Sequence, residues 1–276
     1  MAARFWVGGA GTWDASDTAH WAASTGGAGG ETVPGASDDV TFDALSGAGT
    51  CTVNTTVTVI SITCGAYVGT LDFAANDNNV TLTGAVPFNG SGTGIRTINL
   101  GDGTWTLSSA SAAWTMTTVT NLTFSAGAST IAFTSTSVSA SKSFLGGGLT
   151  YNAVSLVAGV GPEGSRIAFT GSNTIATLTI GAGRLWILTS GTTQTITTLS
   201  FAGTRSLPVA ISVTTSNSLA TISIAAGTVT LDYCVYIRDM TFSGGATFLA
   251  TNSFGFANNS GITISKPSFG GGVIGG

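Results

Sequence analysis

The sequence predicts an all-β chain wound as a right-handed parallel β-solenoid, with about eight irregular rungs and an N-terminal cap. Three observations predict it. β-Branched Thr, Val and Ile dominate while strong helix formers are scarce. Charged residues make up 7% of the 276, against about 25% in an ordinary soluble domain. One apolar pattern recurs eight times, and self-similarity at a short period is the mark of repeat architectures.

The pattern is an apolar residue, two spacers, an apolar residue, a small residue, an apolar residue, and Gly three positions on. Val57, Ile60, Ile62 and Gly65 form the first copy, and Ile95, Ile98, Leu100 and Gly103 the second. The third is Val119, Leu122, Phe124 and Gly127, and the fourth Tyr151, Val154, Leu156 and Gly159. Ile175, Leu178, Ile180 and Gly183 follow, then Ile196, Leu199 and Phe201 with Gly203 one place early. Leu219, Ile222, Ile224 and Gly227, then Ile237, Met240, Phe242 and Gly245, complete the set.

A short strand with period-2 alternation follows each copy, as in Leu71-Asp72-Phe73, Trp105-Thr106-Leu107 and Trp186-Ile187-Leu188. Between the two lies Gly with Ala, Ser, Asp or Thr, which suits a tight corner. From Ile60 to Met240 the steps between second apolar positions run from 18 to 38 residues. Steps of 20 to 25 residues fit one rung of two or three strands, and the longer ones need extra loops. One rung buries too few side chains, at about 1.5–3 kcal/mol each, to offset roughly 1–2 kcal/mol of backbone entropy per residue. Stacking supplies the missing burial, and it disfavours charge because like charges repel along a ladder.

The ends differ from the repeat. Residues 1–45 hold Trp6, Trp13 and Trp21, the single His20, and half of the twelve carboxylates. This segment reads as a cap over the first rung, or as a docking element with Phe5, Trp6, Trp13 and Trp21 as aromatic anchors. The repeat occupies 46–265. Residues 266–276 form a Gly-rich tail in which Phe269 is a further docking candidate.

Little in the sequence points to catalysis. His20 sits between Ala19 and Trp21 with no nucleophile motif, and no phosphate-binding or metalloprotease motif occurs. Asp72 and Asp102 would stack on neighbouring rungs in a polysaccharide-cleaving solenoid, but both lie near Gly corners where Asp is a common turn residue. The acidic N-terminal segment lacks a calcium-loop pattern, so no metal or cofactor is expected. Cys51, Cys64 and Cys234 are expected as free buried thiols, the alternative being a Cys51–Cys64 pair if their strands stack. The net charge of −4 and the lack of any basic run argue against nucleic-acid binding. No apolar run approaches membrane-spanning length, and no signal peptide is expected at the start.

The opening Phe5-Trp6-Val7-Gly8-Gly9-Ala10-Gly11-Thr12-Trp13-Asp14, then His20-Trp21, then Val33-Pro34-Gly35-Ala36-Ser37-Asp38-Asp39-Val40-Thr41-Phe42-Asp43, resembles the start of β-helical structural proteins of tailed bacteriophages. The runs Ile95–Leu107, Phe144–Tyr151 and Gly171–Ile175 resemble them too. Related bacterial surface proteins usually close with a Trp-containing strand, where this chain has Asn258-Asn259-Ser260-Gly261-Ile262-Thr263-Ile264. The resemblance implies a non-enzymatic virion protein at the particle surface, made in the host without a signal peptide. It implies a tail fibre, tail-tip or spike component that contacts other virion proteins and a host surface glycan or protein; the wide apolar or Thr/Ser faces of a β-helix can pack side by side, so a homotrimer is expected. The alternatives are a capsid decoration protein of the phage head and a polysaccharide-degrading β-helix enzyme.

Overall fold

The computed structural model describes residues 2–137, 141–160 and 165–267. Phe269 and the Gly-rich run after it lie outside the described residues. Among those described there is no helix, so none long and apolar enough to cross a membrane. The chain is all-β, built of many-stranded parallel sheets compatible with a β-solenoid.

The first sheet has eleven strands. Ten run parallel: Ala2–Trp6, Asp38–Thr41, Ser61–Thr63, Phe88–Asn89, Ala113–Thr115, Lys142–Leu145, Arg166–Thr170, Leu185–Leu188, Val209–Val213 and Cys234–Ile237. The eleventh, Trp21–Ala22, pairs antiparallel on the outer edge of Ala2–Trp6. The second sheet holds Gly11–Trp13, Thr50–Val53, Thr70–Asp72, Arg96–Asn99 and Leu122–Ser125. The third runs over nine strands: Val57–Val59, Val80–Leu82, Thr104–Leu107, Thr130–Phe133, Thr150–Leu156, Thr174–Ile180, Thr193–Phe201, Ala220–Ser223 and Met240–Ser243. A fourth sheet forms late, from Thr228–Asp232, Thr247–Thr251 and Thr263–Ile264.

From Asp38 to Phe133 the chain visits the first, second and third sheets in turn, then returns one strand further along. From Lys142 to Phe201 it alternates between the first and third sheets alone. The second sheet is not lost there so much as absorbed. Thr150–Leu156 and Thr174–Ile180 are seven residues long, with adjacent outward positions (Asn152-Ala153, Ala176-Thr177) between buried ones, so a bend replaces a corner.

Alternation drives the packing. In Arg96–Asn99 and Val80–Leu82 every second residue is buried, as a strand with one face inward requires. Identical registers stack those residues into columns. On the first sheet Val40, Ile62, Phe88, Trp114, Phe144 and Phe169 lie one on the next. On the third, Val80, Trp105, Ile131, Val154, Leu178 and Leu199 do the same.

The structure corrects several sequence expectations. The copies at Tyr151, Ile175 and Ile196 stack residue on residue as their spacing predicts. Elsewhere the register differs: Ile98 lies on Phe124 rather than Leu122, and Ile222 on Phe242 rather than Met240. The copy from Val57 to Ile62 spans two strands of two different sheets. The same apolar spacing arises along one strand and across a corner, so spacing alone does not assign a sheet. The first sheet also counts ten parallel strands against eight repeat copies. Finally, the ladders start at Ala2, inside the segment read as lying outside the repeat: Arg4 pairs Val40 and Gly11 pairs Cys51.

Candidate functional site

Three places merit a functional reading: the N-terminal aromatic cluster, the corner carboxylates and the buried cations. Trp6, Trp13 and Trp21 are 0–1% exposed. Trp6 and Trp13 meet Trp21 edge-on at ring centroid distances of 5.2 and 5.0 Å, and Phe42 lies within 6.3 Å of all three. These indoles are buried in the core, packed on one another and on Phe42. Phe5 is half-buried and pairs with Thr41 and Ala22 within the first sheet.

His20 completes this cluster. Its ring stacks on Trp6 at 4.8 Å and 11°, and its Nδ1 lies 2.5 Å from Asp17 Oδ2. A β-carbon at Gly11 would come 2.6 Å from the ring, so the glycine makes room for it. The imidazole is thus wedged between Gly11, Trp6 and a carboxylate, an arrangement that fixes the loop from Asp14 to Trp21 against the first strand.

The aspartates are corner fasteners. Asp77 Oδ1 accepts from the Asp102 amide at 2.8 Å, and Asp102 Oδ1 accepts from the Ala128 amide at 2.7 Å, which ties three successive corners together. Asp72 pairs in register with Asn99, so Asp72 and Asp102 do not stack on each other. Asp239 is buried and accepts from Asn258 Nδ2 (2.7 Å), the Asn217 amide (3.0 Å) and Arg238 Nε (3.1 Å). The Asn258 bond, with the others, holds its carboxyl below the ordinary range. These carboxylates are engaged by turn donors, as Asx-type caps are. No cluster of three or more His, Cys, Asp or Glu suited to a metal ion occurs among the described residues.

Cys51, Cys64 and Cys234 are free and buried. Burial pushes the Cys64 and Cys234 thiols up to about 12, and Cys51 well above its usual value.

The sequence reading passed over the buried cations. Arg96, Lys142 and Arg184 are 2%, 0% and 1% exposed. Arg96 donates to four backbone carbonyls: Gly90 O from Nε (3.1 Å) and Nη2 (2.5 Å), Gly94 O (2.9 Å), Thr118 O (3.1 Å) and Thr120 O (3.3 Å). A signal for two of them exists in the sequence. Arg96 alternates in phase with Ile98 and Leu100, and Lys142 with Phe144, so each sits at an inward position of a strand.

Outward-facing positions carry hydroxyl and methyl groups. Along the third sheet Thr58, Thr81, Thr106, Ala132, Ser155, Thr179 and Ser200 form one column, and Thr104, Thr130, Ala153, Thr177 and Thr198 a second. In comparisons with family models, curated proteins and solved structures, nothing matched this chain.

Proposed function

We propose that the chain is a non-enzymatic structural protein of a tailed bacteriophage particle, a tail-fibre, tail-tip or spike component that meets the host surface. In this reading it is a right-handed β-solenoid, closed at its N-terminal end by the segment around Trp21 and His20, and packed side by side as a homotrimer. The observation that carries the reading is the uncharged double column of Thr, Ser and Ala along the third sheet. Such a face leaves few charges to desolvate when it is laid against a like face, so packing adds burial at little electrostatic cost. The aspartate fasteners support it as well, since carboxylates held in corners serve rigidity. The resemblance of the opening Phe5–Asp14 run supplies the phage context.

Gold-labelled antibody against the chain, applied to purified particles of the phage that encodes it, tests the assignment. Label at the tail is expected. Label on the head would move the protein to capsid decoration. Particles free of the chain, or new reducing or unsaturated ends released from host polysaccharide by the pure protein, would overturn the reading.

A further inference from the structure

The second sheet stops partway along the stack. Among the described residues its last strand, Leu122–Ser125, pairs with Arg96–Asn99 on one side and with no strand on the other, while the first and third sheets continue. Chain length explains the stop. Thr115 pairs with Leu145 and Thr130 with Ala153, so the same two ladders are joined by residues 116–129 in one coil and by residues 146–152 in the next. Fourteen residues reach out to the second sheet, and seven cut across. Leu122–Ser125 is left as a ledge.

The ledge is unfinished in its backbone and in its side chains. Arg96 N donates to Asn121 O and Leu100 N to Ser125 O. Main-chain groups alternate in direction along a strand, so the amide and carbonyl of Phe124 face the open side. In the two strands before, Leu71 and Ile98 are fully buried, whereas Leu122 and Phe124 are half-buried. Tyr151 of the next coil approaches Phe124 at 5.3 Å between ring centroids and covers it in part. The strands that begin the second and third sheets have no such gap, since Trp13, Val57 and Val59 are buried. A hollow of about 380 Å³ lies where the ledge's coil leaves the first sheet, between Thr117 and the following coils at Gly147-Gly148 and Gly171-Ser172.

A row of main-chain donors and acceptors is matched by an extended chain. The molecule closes one of its own edges this way, with Trp21–Ala22 laid on Ala2–Trp6. Charge narrows the choice of occupant. Residues 116–129 and 143–160 contain no Asp, Glu, Lys, Arg or His, so a neutral strand is added without desolvating a charge. Residues 138–140 and 161–164 belong to links from the third sheet back to the first, not to the link that carries the ledge.

We propose that Leu122–Ser125 receives a strand from a partner protein: an extended, uncharged segment with apolar residues at alternate positions, added as the sixth strand of the second sheet. Its apolar residues would cover Leu122 and Phe124. The inference does not depend on the phage reading.

A fluorescent peptide of alternating Thr and Val, flanked by Ser and Gly, is the probe, read by anisotropy against the full chain. Saturable binding is expected. The same peptide N-methylated at alternate residues lacks main-chain donors and is expected to bind roughly tenfold more weakly. Leu122→Lys, which sets a charge beneath the incoming strand as natural edges do, is expected to weaken binding to a similar extent. Hydrogen exchange of the wild-type chain with and without the peptide serves whether or not the variant folds, with new protection expected at Leu122–Ser125 alone. No binding, equal binding of the N-methylated peptide, or protection at another edge would overturn the proposal. Binding that appears only after residues 268–276 are deleted would also overturn it and make the chain's own tail the occupant. A wild-type dimer that Leu122→Lys splits would overturn it in favour of a second copy.

Discussion

From Trp6 to Trp186 the interior is a chain of touching rings; beyond Leu188 it is almost wholly aliphatic. Trp13, Phe73, Trp105, Trp114, Tyr151, Phe144, Phe169 and Trp186 follow one another at ring centroid distances of 4.6–6.5 Å. The later core is Ile196, Val209, Ile211, Ile222, Leu231, Ile237 and Met240, with one ring pair, Phe242 and Phe248, at its end. The difference does not follow the number of sheets: the rings continue through the two-sheet coils as Phe144, Tyr151, Phe169 and Trp186, and the aliphatic stretch lies where the fourth sheet makes three again. It follows which side chains the sequence places at the inward positions. Ring pairs add about 0.5–1.5 kcal/mol each beyond burial, and coils in a repeat protein stabilise chiefly their neighbours. The N-terminal half should therefore be the last to unfold and the C-terminal half the first to fray.

The largest expected effect sits in the aromatic half. Trp105 is fully buried against Phe73, Phe88 and Trp114, and its indole donates to Leu100 O at 3.2 Å. Trp105→Ala should cost about 3–5 kcal/mol in denaturant unfolding. A loss below that of an aliphatic truncation such as Ile211→Ala would break the comparison. Next comes the end of the stack. Gly11→Ala drives a methyl into a histidine that Trp6 holds from behind, at an overpacking cost of about 1–3 kcal/mol. His20→Ala in the same chain should recover most of it; no recovery would mean that the ring is not what makes the glycine necessary. Ile211→Val in the aliphatic half should cost only about 0.5–1.5 kcal/mol. Hydrogen exchange should show the amides of Thr228–Asp232 and Thr247–Thr251 opening before those of Thr104–Leu107, and the reverse order would invert the picture.

Acid sharpens the contrast. Asp239 is depressed by its bonds from Asn258, Asn217 and Arg238. At Asp232 burial pushes upward, but bonds from Asn252, Thr251 and the Tyr233 amide outweigh it, and the net shift is also downward. Both carboxylates lie in the C-terminal half, against one in the N-terminal half, Asp14, which bonds from Ser16 and the Asp17 amide also lower. A folded pKa below the ordinary value of about 3.9 means stability that is present above it and lost as pH falls through the folded value. The C-terminal coils should therefore loosen first below about pH 4, and Asp239→Asn should flatten that dependence. Unchanged acid sensitivity in Asp239→Asn would remove Asp239 as its source. The smallest effect expected is at the thiols. With Cys64 and Cys234 raised to about 12, the native protein should ignore a disulfide reagent at pH 8, and all three cysteines should react once it is denatured. Fast labelling of the native chain would contradict the sealed core.

Local properties were readable from the residues alone. Alternation located most strands, Gly-containing stretches located corners, and low charge pointed to a stacked all-β chain, because each depends only on neighbours in the chain. Whether Cys51 and Cys64 pair was not legible, because it depends on which strands stack; the structure leaves all three thiols free. The site was less legible. Tryptophans crowded into one segment look alike whether they are buried or exposed, and only the packing of Trp6, Trp13 and Trp21 on Phe42 shows them buried.

Tertiary structure alone decided which sheet each strand joined. Leu71, Trp105, Trp186 and Val229 share one local pattern, yet they lie in the second, third, first and fourth sheets. A period-2 strand specifies which side faces inward, not which ladder it extends. That choice depends on how many residues each corner consumes and on which coil lies beneath. The same holds for the cations: alternation places Arg96 and Lys142 inside, but only carbonyls brought in from other coils determine whether a buried charge is satisfied.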